Sequence, residues 1–290
     1  MNIVKWFCAV LLMVAMPLLH AEIRVQDYSG AELVLEKPAT RLIALSPHIV
    51  ENIFAAGAGD LLVGVVEHSD FPQQALQLPK IGGFASLNRE ALLALQPDLV
   101  IAWKTGNGEE MINQVRDLGI PVYIDEPQEL RDIARSIAAI GQLTNRQNPA
   151  NRAATEFVKK LNQLQFAHTD VSQISVLYQI WHSPIQTVNN DHIISKVINL
   201  CGGYNAFGDA IPAAPVINRE TIIARDPEII IASGVGETRP EWLNEWRQWP
   251  TLTAIKNNHL YHIPPDILQR HTPRILQGAE MMCAQIDSLR

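Results

Sequence analysis

Short apolar runs alternate with stretches of helical spacing along most of this chain. Residues 42–45, 62–66, 98–103 and 122–124 are continuous, β-branched-rich runs of strand length. After the first, Ser46-Pro47 predicts a helix start, with Ser as N-cap and Pro at the first helical position. Val50, Ile53 and Phe54 keep helical spacing behind it, and Gly57 ends it. The alternation resumes after residue 170, with strands expected over 174–180, 228–232 and 260–263. A helix over 193–200 stops at Gly202-Gly203, and Thr272-Pro273 repeats the cap-then-proline start. Strand and helix in alternation imply right-handed crossovers and parallel sheets covered on both faces: an α/β fold.

Between the two runs of strands lies a helical pattern beginning at Asn148-Pro149 and ending near His168. Ala153, Phe157, Val158, Leu161 and Leu164 form its apolar stripe. Roughly 20 residues of helix span about 30 Å. No Gly/Ser-rich linker occurs there, so one stiff helix is expected to join two lobes that move little. The expected division is a signal peptide over 1–21, an N-terminal α/β lobe over 22–146, a linking helix over 147–169 and a C-terminal α/β lobe over 170–290.

The chain also repeats itself. Residues 88–103 open with Asn-Arg-Glu, place Ala four after the Glu, then Pro97-Asp98 and an apolar run. Residues 218–233 do the same through Pro227-Glu228. A single repeat this far apart indicates two similar lobes, since solenoids repeat at far shorter periods. Whatever Glu90 does on one lobe, Glu220 is placed to do on the other.

The N-terminus changes the compartment. Lys5, an apolar stretch over 6–19 and Ala21 before Glu22 have the layout of a cleaved secretory signal. Cys8 leaves with it. Cys201 and Cys283 remain in an oxidising compartment, where an even count favours a disulfide over two free thiols. Such a bond would close a long loop, worth about 4–5 kcal/mol in the chain-entropy account. The net charge of −7 argues against nucleic acid as a partner.

In open α/β sheets, ligands bind beyond the carboxyl ends of the strands. The post-strand segments here hold Ser46, His48, residues 68–71, Phe84, Trp103, Trp181-His182, and residues 212–215 and 266–270. That lining is aromatic and apolar with scattered polar groups, suited to a bulky organic ligand. His48, His68, His182 and Asp266 could converge on a metal. The lack of HxH or HExxH spacing favours satisfied or solvent-facing histidines instead. Trp242, Trp246 and Trp249 read as a packing face or cleft rim. No GxSxG elbow, P-loop or post-strand GxGxxG is present, so catalysis finds little support.

Several stretches carry a resemblance: Arg41-Leu-Ile-Ala-Leu-Ser-Pro-His48, Val63-Gly-Val-Val-Glu-His-Ser-Asp-Phe-Pro72, Leu92-Leu-Ala-Leu-Gln-Pro-Asp-Leu-Val-Ile-Ala-Trp103, Cys201-Gly-Gly203 and Thr272-Pro-Arg-Ile275. With them the chain resembles the helical-backbone (class III) periplasmic binding proteins that feed ABC importers of metals, siderophores, haem and cobalamin, and among these the cobalamin binders most. The resemblance implies two Rossmann-like lobes on one long helix with the ligand cleft between them. It implies cobalamin or a related corrinoid as transported ligand, with no cofactor, no metal site and no catalytic residues. It places ligand contacts at His68, Phe84, Trp103, Trp181, Asp266 and Arg270, with Ala213-Ala214 where a Trp is expected. It assigns Glu90 and Glu220 to docking on the permease dimer of an importer with its ATPase subunits, pairs Cys201 with Cys283, and implies a periplasmic monomer. A ferric siderophore or haem receptor of the same fold is the alternative, and an exported metal-dependent enzyme a more distant one.

Overall fold

The computed structural model describes residues 22–290 apart from residues 84, 235 and 237. The expected signal peptide and Phe84 therefore lie outside the described residues. The first lobe is built on four parallel strands, β1 (Leu42–Ala44), β2 (Leu62–Val65), β3 (Leu99–Ala102) and β4 (Val122–Ile124), in the order β2-β1-β3-β4. The second has β5 (Ile174–Gln179), β6 (Gly203–Asn205), β7 (Ile229–Ala232) and β8 (Leu260–His262), in the order β6-β5-β7-β8 and again parallel. The two sheets have one topology. Every residue of β1, β3, β5 and β7 is buried, as parallel strands covered on both faces must be.

Helices α1 (Pro47–Ala55), α2 (Arg89–Ala94), α3 (Lys104–Arg116) and α4 (Leu130–Leu143) cover the first sheet. Helices α6 (Ile193–Leu200), α7 (Arg219–Arg225), α8 (Thr253–Lys256) and α9 (Ile275–Asp287) belong to the second. Between them runs α5 (Gln147–Ala167), 21 residues long, with Ala150, Ala154, Phe157 and Leu161 buried at helical spacing. It lies along α4 so closely that a Cβ added to Gly141 would stand 2.3 Å from the Ala150 Cβ. Only glycine at 141 permits that approach. An antiparallel hairpin, Ile23–Gln26 with Glu32–Leu35, packs beside α4.

Three local expectations shift. Ser46 occupies the N-cap of α1, but its hydroxyl bonds the His48 Nδ1 at 2.6 Å rather than a backbone N–H. The last helix starts at Ile275 with Arg274 as N-cap. Thr272 holds the preceding turn, its hydroxyl accepting from the Arg274 N–H at 3.3 Å. Gly202 does end α6, at φ +69°, yet Gly203 opens strand β6. A Gly-Tyr-Asn strand carries too little apolar pattern to be read in advance.

Cys201 and Cys283 form a disulfide, with Cα atoms 4.7 Å apart. It ties α9 to the end of α6. The tryptophans at 242, 246 and 249 form a packing face: Trp246 is buried and donates to the Gln179 Oε1 at 2.8 Å, and Trp242 stacks on His182.

Candidate functional site

In each sheet the chain reverses direction of travel between its first and third strands, β1/β3 and β5/β7. Segments after β3, β5 and β7 meet across the inter-lobe cleft, and His48 after β1 packs edge to face on Trp103 there. A cavity of about 440 Å³ lies there, lined by Trp103 after β3, Ile180 and Trp181 after β5, Gly234 after β7, and Gln269 and His271 beyond β8, with Gln186, His192 and Ile194 from the second lobe. Both sheets thus deliver their switch points to one cavity, where an α/β ligand site belongs.

The walls are braced from behind. The Trp103 indole donates to the Glu126 Oε1 at 3.1 Å, and its backbone N–H donates to the Asn107 Oδ1 at 2.7 Å. Asn107 in turn donates to the Leu45 carbonyl at 2.8 Å, so the loops after β1 and β3 are stitched together. Across the cleft, Trp181 sits half-open to solvent on a two-residue hairpin, its indole donating to the Ser183 carbonyl at 3.1 Å. Gln269 donates to the Ser233 Oγ at 2.7 Å.

Three histidines sharpen the picture. His48 is buried, and burial first, with repulsion from His271 and Arg270, holds its pKa well below the ordinary value. Burial, with His192 nearby, lowers His271 to about 4. Burial lowers His192 as well. All three imidazoles are therefore neutral at physiological pH. His48, Trp103 and His271 meet edge to face, with centroids 5.3 to 6.5 Å apart.

Beside the cavity the lobes are latched. Glu51 on α1, its side chain 2% exposed, receives Arg274 at 2.6 Å and Arg270 at 3.0 Å from the second lobe. Arg270 also reaches Asp70 at 2.7 Å and Asp266 at 3.0 Å. Burial works to lower the Arg270 pKa, but the bonds to Asp70 and Glu51 outweigh it, and the guanidinium stays charged. Asn52 adds a bond to the His271 carbonyl at 3.0 Å. On the far side of the cleft, Lys196 of α6 meets Glu129 at the start of α4 at 2.8 Å.

The expected ligand residues thus fall into two groups. Trp103 and Trp181 line the cavity. Asp266 and Arg270 belong to the latch, and so does the backbone of His68, whose carbonyl lies 3.5 Å from the Arg270 Nη2. His48, His68, His182 and Asp266 are not brought together. His182 stacks on Trp242, Asp266 pairs with Arg270, and no group of three His, Cys, Asp or Glu suited to a metal is found among the described residues. Gln269 falls within the segment 266–270 expected to line the cleft; His192, His271 and Gln186 were missed. Position after β8 could have pointed to His271, one residue beyond Arg270; His192 and Gln186 carry no comparable signal.

The repeated segment maps onto equivalent elements, α2–β3 and α7–β7. Asn88 and Asn218 are N-caps whose side chains accept from Ala91 at 3.0 Å and Thr221 at 2.8 Å. Gln96 and Asp226, each six residues after its Glu, both take positive φ before the proline. The acid after each proline then grips the head of the central strand. Asp98 accepts from the Arg41 N–H at 2.9 Å, and Glu228 from the Ser175 N–H at 2.8 Å. Glu90 and Glu220 are exposed and make no hydrogen bond or ion pair to described residues.

The class follows from this architecture and from comparison with known proteins. The family model described as "Periplasmic binding protein" matches residues 42–267, and this chain belongs to that family. Among its relatives are proteins named vitamin B12-binding protein. That of Vibrio parahaemolyticus is 33% identical over 88% of this chain and 92% of its own length, and that of Yersinia pestis 32% identical over 87% and 88%. The crystal structure of the periplasmic vitamin B12 binding protein of Vibrio cholerae is 34% identical, with a TM-score of 0.79 over 86% of this chain and 97% of that one. A periplasmic heme binding protein of Vibrio cholerae, 22% identical with a TM-score of 0.74 over 85% and 98%, shares the fold.

Proposed function

We propose that this chain captures cobalamin or a related corrinoid in the periplasm and hands it to an ABC importer of the inner membrane. One observation carries the reading. In a chain one-third identical over most of its length to vitamin B12-binding proteins, Trp103 and Trp181 line the cavity where the two sheets present their switch points. Aromatic walls with a few fixed polar groups suit a large, largely neutral ring system. The role is binding, without a catalytic step. Residues 1–21 would be removed on export, leaving a monomer of two lobes, 22–146 and 170–290, on the helix over 147–169.

Glu90 and Glu220 would dock on the permease dimer. Support comes by subtraction: the Asn caps, the positive-φ residue, the proline and the following acid each serve the fold, while the two glutamates, beyond favouring their helix N-termini, make no bond to described residues. Matched carboxylates on matched helices suit bidentate arginine partners, which fix orientation as well as affinity. Phe84, His68, Asp266 and Arg270 would meet the cargo at the cleft edge. Calorimetric titration of the purified protein with cyanocobalamin, alongside haemin, tests the reading. Heat and saturation with the corrinoid alone are expected; saturation by haemin with none by cyanocobalamin would overturn it.

A further inference from the structure

We propose that His271 is an axial ligand for the cobalt of a bound corrinoid. The inference rests on the corrinoid reading and deepens it by naming the atom that meets the metal. Three cleft histidines are neutral, but they are not equivalent. The His48 Nδ1 is taken by Ser46 at 2.6 Å, and His48 is buried behind the wall without lining the cavity. The His192 Nδ1 accepts from the Ile194 N–H at 3.2 Å, which puts its proton on Nε2 and makes it a donor toward the cleft. His271 lines the cavity with a ring that makes no hydrogen bond to described residues.

The ring is half-buried, and its nitrogens stay open to the cleft rather than sealed away without a partner. An accessible imidazole nitrogen that no protein group engages is free to meet a group the ligand brings. The surroundings hold His271 ready for it. Asn52 fixes its backbone carbonyl from the other lobe, and the edges of His48 and Trp103 brace its ring. Its pKa near 4 keeps a lone pair available across the neutral range. Neutral imidazole is a common ligand for first-row transition metals.

The step is a substitution. The imidazole lone pair forms a Co–N bond, the bond from cobalt to its axial water breaks, and the water leaves through the cleft. The cobalt oxidation state does not change, and no proton moves. Cyanocobalamin, which holds its cyanide, should bind without the exchange.

The test is visible spectroscopy of aquacobalamin and cyanocobalamin, each titrated with wild-type protein, His271→Ala and His192→Ala, with calorimetry in parallel. The expected result is a red shift of the aquacobalamin bands on wild-type protein, toward the spectrum of its imidazole adduct, and none with cyanocobalamin. His271→Ala should still bind both corrinoids yet lose the shift, with aquacobalamin affinity falling about 10-fold or more, as for loss of a metal contact. Free imidazole should restore the shift in that variant. His192→Ala should keep it. Binding of aquacobalamin to wild-type protein without a shift, or a shift that survives His271→Ala, overturns the inference while leaving the corrinoid reading intact. No binding of either corrinoid to wild-type protein would instead overturn the corrinoid reading.

Discussion

The two lobes share a strand order and a helix-to-strand unit, yet their cleft faces have little in common. On the first, His48 and Trp103 are held by buried or part-buried bonds to Ser46, Asn107 and Glu126. On the second, Trp181 stands on a small hairpin, and the loop beside it exposes Ile211 almost completely. The parts that repeat are those the sheet needs, together with two glutamates the sheet does not need. The parts that differ surround the cavity. The proposed two-fold partner would account for the repeated glutamates, and the proposed asymmetric cargo for the second set.

The largest effect should come from the shared glutamates. Glu90→Ala with Glu220→Ala is expected to abolish ATPase stimulation of the reconstituted importer while corrinoid affinity stays within about twofold. Each single variant should fall between, and by similar amounts; strongly unequal losses would break the equivalence of the lobes. Next is the latch, which has no counterpart in the repeat. Glu51→Ala leaves Arg270 and Arg274 without their buried partner and should cost about 3–5 kcal/mol in urea unfolding.

Asp125 offers a smaller, pH-dependent difference confined to the first lobe. Burial pushes its carboxyl up to about 7, against a bond from Ser136. A carboxyl pKa raised on folding means the native state holds the extra proton between about 4 and 7. That contribution is complete below about pH 4 and lost as pH rises through 7. Asp125→Asn should therefore gain stability relative to wild type between pH 5 and 8 in thermal melts, and a flat difference would remove the argument. Glu228→Ala should cost about 1 kcal/mol, since it frees the Ser175 N–H, and Asp98→Ala somewhat more, since it frees the N–H groups of both Thr40 and Arg41. The caps are of the same order: Asn88→Ala and Asn218→Ala should each cost about 0.5–2 kcal/mol, and nearly the same amount as each other.

The strands were legible because parallel strands buried on both faces must be continuous apolar runs. β4 was read to the residue, and β6 was invisible because Gly203-Tyr204-Asn205 pairs through backbone alone. The linking helix showed in its apolar stripe. Helices α3 and α4 went unread, though α4 carries a clear apolar face. The cleft was half legible. Trp103 and Trp181 follow strands and are large, so they stand out. Arg270 and Asp266 lie in the right segment, but pairing across lobes decides their role, and no local pattern records a bond between residues 51 and 270. His271 lies one residue past that segment, and what sets it apart, the edges of His48 and Trp103, comes from the other half of the chain.

The disulfide has a topological consequence. It closes a covalent ring over residues 201–283. Inside that ring lie Glu220, the strands β7 and β8, and the latch arginines Arg270 and Arg274. A pull on the two chain ends bypasses all of them, passing straight from Cys201 to Cys283. The oxidised protein should extend in a single-molecule experiment by a contour about 270–300 Å shorter than the reduced one. The second lobe's half of the latch and Glu220 thus stay on one tether, out of the load path, however far the rest of the chain is drawn out.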